Sequence, residues 1–182
     1  MRIGLLSDTH LPGVIQCLDD LGPEPANFFS TVDLILHGGD LTSPKILDWL
    51  EQFAPVICAT GNNDSIPDAR SKDVQILEVE GWRIGMIHSL DRQFRPMSEL
   101  QEMFPEPVDI MVAGHTHLEQ LELRDGVVLM NCGSVTFPHH KELRLGPVGL
   151  LELESNKLHA EIIALGHTPG RPNPTTPMTL DI

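Results

Sequence analysis

The chain has 182 residues, enough for one well-filled domain and short for two, and its 26 acidic against 12 basic residues give a formal charge of −14 with histidines neutral. That balance argues against a general nucleic-acid or anionic-membrane surface, which needs clustered Lys and Arg. Cys17, Cys58 and Cys132 are widely spaced and form no Cys-x-x-Cys, so they read as reduced thiols; with no secretory leader pattern and no long apolar run, a soluble cytoplasmic protein without a membrane partner is expected.

The chain opens on a short apolar run, Arg2 to Leu6, that reads as a buried strand ending in Ser7-Asp8-Thr9-His10. Pro12-Gly13 supplies a turn, and Val14 to Leu21 is expected to form a short helix stopped by Gly22-Pro23. A second run, Val32 to Leu36, breaks at Gly38-Gly39-Asp40. Ser43-Pro44 then reads as an N-cap leading a helix with Ile46, Leu47 and Leu50 inward. Val56 to Ala59 restarts the strand pattern ahead of Gly61-Asn62-Asn63-Asp64, an α/β rhythm with a largely parallel sheet.

The middle changes character. Val74 to Val79 and Trp82 to Ile87 flank Glu80-Gly81 and predict a hairpin with His88 just beyond it. Ser98 is expected to cap a helix from Glu99 to Phe104, with Gln101 as its capping-box partner. Val108 to Ala113 forms the next strand and runs directly into Gly114-His115-Thr116-His117. Two further hairpins are expected around Asp125-Gly126 and Ser155-Asn156. Residues 1–165 then form one domain, and the Pro/Thr-rich stretch 166–182 is expected to be a loose tail or a strap over the surface.

Asp8, His10, Asp40, Asn62, His88, His115 and His117 all follow apolar runs, and the carboxyl ends of parallel strands are where such residues converge on a ligand. Seven N and O ligands exceed one tetrahedral ion and suit two divalent ions sharing a carboxylate. With Asp40 as the bridge, one ion takes Asp8, His10, Asp40 and His117, and the other takes Asp40, Asn62, His88 and His115. Two such ions outweigh the carboxylates of Asp8 and Asp40, so an anionic phosphate ester fits despite the acidic surface. The mixed imidazole, carboxylate and amide set suits manganese, iron, nickel or zinc and does not select among them; Mn2+ is taken as the first choice.

The motifs S-D-T-H at 7–10, G-G-D at 38–40, G-N-N-D at 61–64, His88, G-H-T-H at 114–117 and N-C-G-S-V at 131–135 together resemble the calcineurin-like metallophosphoesterase superfamily, in its small bacterial and archaeal phosphodiesterase branch. The resemblance implies a four-layer α-β-β-α sandwich of two mixed sheets, a two-metal centre, and a phosphodiesterase that uses a metal-bridging hydroxide on a small phosphate-ester substrate. Asp40, His10 and Asp64 are the candidates for catalytic roles; His10 either ligates or handles a proton, and Asp64 either bonds a ligating histidine or caps the following segment. The larger phosphatases of the superfamily carry Gly-Asn-His, whose histidine helps protonate the leaving group. Asn63 stands there in this chain, implying diesters with good leaving groups or an acid supplied elsewhere.

The alternatives are a broad-specificity phosphomonoesterase, a single-metal hydrolase, and a non-catalytic metal-binding scaffold like the retromer subunit that uses this fold. A homo-oligomer is left open. Among the remaining polar residues, His37 is read as a local contact, and His139 and His140 as a solvated loop that could reach the pocket. Asp91, Arg92 and Arg95 are read as bordering the pocket, with Arg92 or Arg95 as a contact for an outer phosphate, and Cys132 as packing.

Overall fold

The computed structural model describes residues 1–90 and 94–182; Asp91 and Arg92, read above as bordering the pocket, lie outside the described residues. Among the described residues twelve strands form two mixed sheets. The first sheet is ordered β12-β11-β10-β1-β2-β3-β4 and the second β5-β6-β7-β9-β8. The strands are β1 Arg2–Leu6, β2 Leu34–His37, β3 Val56–Ala59, β4 Ser71–Lys72, β5 Val74–Val79, β6 Trp82–Ile87, β7 Ile110–Ala113, β8 Glu119–Arg124, β9 Val127–Cys132, β10 Pro147–Glu154, β11 Lys157–Ala164 and β12 Met178–Asp181. β1, β2, β3 and β4 pair in parallel, as do β6, β7 and β9, while β10, β11 and β12 add antiparallel partners to the first sheet.

The apolar runs are continuous because both faces of each central strand are covered. Ile3 and Leu5, Leu34 and Leu36, Ile110 and Val112, and Val128 and Met130 alternate into one core between the sheets. Leu6 and Ile35 face the opposite way, against Leu18, Phe29, Leu47 and Leu50. On the far side, Met111, Ala113 and Leu129 pack against Met97, Leu100 and Phe104. Three cores separate four layers, helix, sheet, sheet and helix, which is the expected sandwich.

Three local expectations need correction. Val14 is exposed, and only Leu18–Leu21 makes a single 3-10 turn, with the Asp20 carboxylate accepting the Gln16 and Cys17 amides. Gly22 does end that turn, as expected, with its N–H on Asp19 O, and Pro23 then leads α1, Glu24–Phe29, where its missing N–H leaves no bond unmade. The helix α2 spans Lys45–Leu50, with Pro44 rather than Ser43 in the capping position. The helix α3 spans Met97–Gln101 behind Pro96, so Ser98 lies inside it. Gln101 forms no capping box; its amide binds both the carbonyl and the N–H of Val108, tying the helix end to the approach of β7.

The hairpins follow their turn residues. Glu80 and Gly81 both have positive φ, as do Asp125 and Gly126, the geometry of two-residue turns whose twist matches the strands they join. Within 166–182, Met178–Asp181 pairs with β11 as an edge strand, so this stretch straps the first sheet. Among the described residues no helix is long and apolar enough to cross a membrane.

Candidate metal centre

The carboxyl ends of β1, β2, β3, β6 and β7 bring Asp8, Asp40, Asn62, His88 and His115-Thr116-His117 together. Asp8, His10, Asp40, His115 and His117 all take positive φ, a conformation costly for non-glycine residues that persists where surrounding bonds over-determine it. Those bonds are present. The Asp8 N–H donates to Gly39 O and the His10 N–H to Asp40 O, at 2.9 and 3.0 Å, locking the first two loops together. Ser134 and Thr136 hydroxyls bind the Asp8 carbonyl from the turn after β9. A Cβ on Gly114 would fall 1.8 Å from Ser7 Oγ, so only glycine lets the His115 loop close on Asp8.

Asp64 is the anchor. Its two oxygens accept the amides of Asp40, Leu41, Thr42 and Gly61 at 2.6 to 3.2 Å, joining the loops after β2 and β3. It bonds no histidine. Asp40 in turn accepts the Asn63 amide N–H and side-chain Nδ2 at 2.9 and 2.6 Å. Burial would push the Asp40 carboxyl up, but the two Asn63 bonds and the facing His88 and His10 rings hold it below the usual range. Asp8 is fully buried, and there burial prevails over the Ser7 hydrogen bond and raises its pKa. Burial likewise lowers that of His10.

The imidazoles decide what this cluster can hold. His88 Nδ1 lies 2.7 Å from Gly38 O and His117 Nδ1 lies 2.9 Å from Phe137 O. A carbonyl only accepts, so each Nδ1 carries a hydrogen and Nε2 is the nitrogen left to ligate. His88 Nε2 then faces two more oxygens, Asn62 Oδ1 at 3.0 Å and Asp40 Oδ1 at 3.4 Å. His117 Nε2 faces Asp8 Oδ1 at 3.6 Å and His10 Nε2 at 3.3 Å. Lone pairs converging at these distances fit a cation between them, with carbonyls orienting the imidazoles from behind. Among the described residues, two groups have ligand atoms within 4.8 Å of one another, Asp8-His10-His117 and Asp8-Asp40-His88.

Residues 1–156 match the calcineurin-like phosphoesterase superfamily domain. The chain belongs to that superfamily. It is 36% identical over 170 residues to a probable metallophosphoesterase of Methanothermobacter thermautotrophicus, covering 91% of this chain and 94% of that one. It is 25% identical over 182 residues to a phosphodiesterase of Methanocaldococcus jannaschii, covering 90% of this chain and 99% of that one. Among solved structures, Vps29 of Entamoeba histolytica complexed with Zn2+ shares the fold at a TM-score of 0.75 and 19% identity, covering 100% of this chain and 98% of that one. With this superfamily's enzymes as relatives and two metal-competent clusters in place, the protein is a hydrolase of the metallophosphoesterase type, dependent on divalent metal.

The remaining sequence candidates separate clearly. His115 is exposed beside the cluster, its ring 5.1 Å from that of His88. His37 is a buried local contact whose Nδ1 accepts the Gly39 amide and whose Nε2 meets Thr9 Oγ1; burial drives its pKa down to about 3. Arg95 pairs with Glu99 and lines a recess with Phe94, Pro96, Glu122 and Arg124, which holds no residue of the cluster. Burial pushes the thiols of Cys58 and Cys132 upward, Cys58 to about 12, as expected of packing groups. Sequence reasoning did not foresee Asn63 as the donor that fixes Asp40, nor His140 stacked on His117 at 4.2 Å; the visible signal was the histidine pair following the Gly133-Ser134 turn.

Proposed function

We propose that this metallophosphoesterase is a phosphodiesterase with two divalent ions, formed by residues 1–165 with 166–182 as an appended strap and working in the cytoplasm. The observation that carries the reading is the pair of ligand groups meeting at Asp8, each with an imidazole Nε2 aimed at carboxylate oxygen. Asp8, His10, Asp40 and His117 would hold one ion, and Asp40, Asn62, His88 and His115 the other. Asp40 suits the bridging position because Oδ2 lies toward His10 at 3.7 Å and Oδ1 toward His88 at 3.4 Å. Manganese is the first choice; iron, nickel and zinc suit the same donors, and the amoebal relative was solved with zinc.

Bound ions would supply positive charge for the phosphoryl oxygens and acidify a water for attack. The protein supplies the frame. Asp64 fixes the backbone at Asp40, the carbonyls of Gly38 and Phe137 orient His88 and His117, and Asn63 aligns Asp40. An amide is no acid, so Asn63, which aligns Asp40, supplies no proton to a leaving group, which favours diesters with good leaving groups. A cavity of about 650 Å³ beside Asn62, His88 and His115, walled by Val74, Ile87 and Met103, accommodates a second ester substituent.

The test is turnover of bis(p-nitrophenyl) phosphate against p-nitrophenyl phosphate with Mn2+, Fe2+, Ni2+ or Zn2+ supplied. Diester hydrolysis is expected, falling by roughly a hundredfold or more in Asp40→Asn and in His117→Ala. Preference for the monoester would overturn the diester assignment.

A further inference from the structure

The loop after β9 brings a third imidazole to the centre. His10, His117 and His140 lie in a row, with ring centroids 5.3 Å apart for the first pair and 4.2 Å for the second, the latter nearly parallel at 19°. His117 is buried and His10 half-buried, whereas His140 is exposed. Its ring nitrogens have no hydrogen-bond partner among the described residues, although the backbone beneath is tightly held. The His139 N–H donates to His117 O at 2.9 Å, the His140 N–H to Phe137 O at 3.1 Å, and the Lys141 N–H to Pro138 O at 3.1 Å. His139 Nε2 also meets Glu119 Oε2 at 2.6 Å, clamping the loop to β8. His139 and His140 both sit at a φ of 55°, so this placement is held against local preference.

We infer that His140 is a substrate-contacting residue whose imidazole N–H donates a hydrogen bond to a phosphoryl oxygen of the ester. Three facts support the assignment. The ring is stacked on His117, a candidate metal ligand, it is the exposed member of the three, and its ring nitrogens are uncommitted among the described residues. A ring N–H is present in either protonation state of an imidazole, so the contact needs no change of charge. This inference rests on the phosphoesterase reading, and its test is chosen to fail separately from it.

The variant is His140→Asn, since asparagine tolerates the left-handed backbone while its shorter side chain withdraws the donor. Inorganic phosphate is titrated calorimetrically into Mn2+-loaded wild type and variant, with metal content measured on the same samples. Phosphate affinity is expected to weaken roughly tenfold, in line with one lost hydrogen bond to a charged oxygen, while the bound metal per chain stays the same. Unchanged phosphate affinity would overturn the inference, and loss of metal would overturn it too by making His140 part of the metal frame. Wild type that binds phosphate but hydrolyses neither nitrophenyl ester sinks the esterase reading, and the phosphate titration still decides His140.

Discussion

Asp64 shows how much of the centre depends on a residue that touches none of its imidazoles. One carboxylate takes four backbone amides from two loops, and asparagine could match only part of that pattern because its Nδ2 would oppose an amide donor. Asp64→Asn is therefore expected to lower stability by about 2–3 kcal/mol and to weaken metal binding by displacing Asp40; a urea midpoint within error of wild type would refute this. His37 yields a pH prediction. Its folded pKa of about 3 lies below the ordinary histidine value, so between the two the unfolded chain binds the extra proton. Stability from this group is full above about pH 6.5 and falls as the solution is acidified, by about 2 kcal/mol at pH 5. His37→Gln should flatten the pH 7 to pH 5 difference in urea unfolding, and an undiminished difference would assign the acid sensitivity to other groups. The role of Asp64 could not be read from sequence, because it depends on backbone amides of the loop after another strand, whereas His37 was legible as a local contact and only its complete burial was not. Asp8, His10 and Asp40 were legible as strand-end polar residues because each comes within four residues of the end of an apolar run.

At the scale of elements, short apolar runs and turn dipeptides carried the reading. Glu80-Gly81, Asp125-Gly126 and Ser155-Asn156 each join the strands they were expected to join. What escaped was stabilised by context rather than by pattern. The helix α1 has six residues behind a proline, β4 has two, and β12 lies in a Pro/Thr-rich stretch whose strand forms only because β11 offers an open edge. The docking of β12 includes a titratable latch, His159 Nδ1 to Asp181 Oδ1 at 2.7 Å. That hydrogen bond, foremost, raises the His159 pKa against the opposing effect of burial, with help from the neighbouring carboxylates. A raised histidine stabilises fully below about pH 6.5 and loses its contribution as the pH climbs through the folded value. Amide exchange at Ile182, whose N–H bonds Leu158 O, should therefore lose protection between pH 6 and pH 8 after correction for intrinsic rates. Asp181→Asn should abolish that pH dependence, whereas a dependence that survives the substitution would point to another group.

The whole molecule sets an acidic surface of formal charge −14 around a centre built to be positive once filled. Surface carboxylates and the buried cluster therefore compete for the same divalent ions, and stability can tell them apart. A ligand that binds only the folded state stabilises it by about 2.7 kcal/mol at a hundredfold excess over its dissociation constant, which for a chain of this size is roughly 5–10 °C in Tm. Weak ions scattered over exposed carboxylates give far less and are suppressed by salt. Mn2+ at such an excess in 0.3 M salt should thus raise the Tm of wild type by that amount, and chelation should reverse it. Asp40→Asn and His117→Ala should each lose most of the rise, one by removing the carboxylate between His10 and His88 and the other by removing an imidazole held by Phe137 O. An equal rise in both variants would place the stabilising ions on the acidic surface and remove the centre from the account.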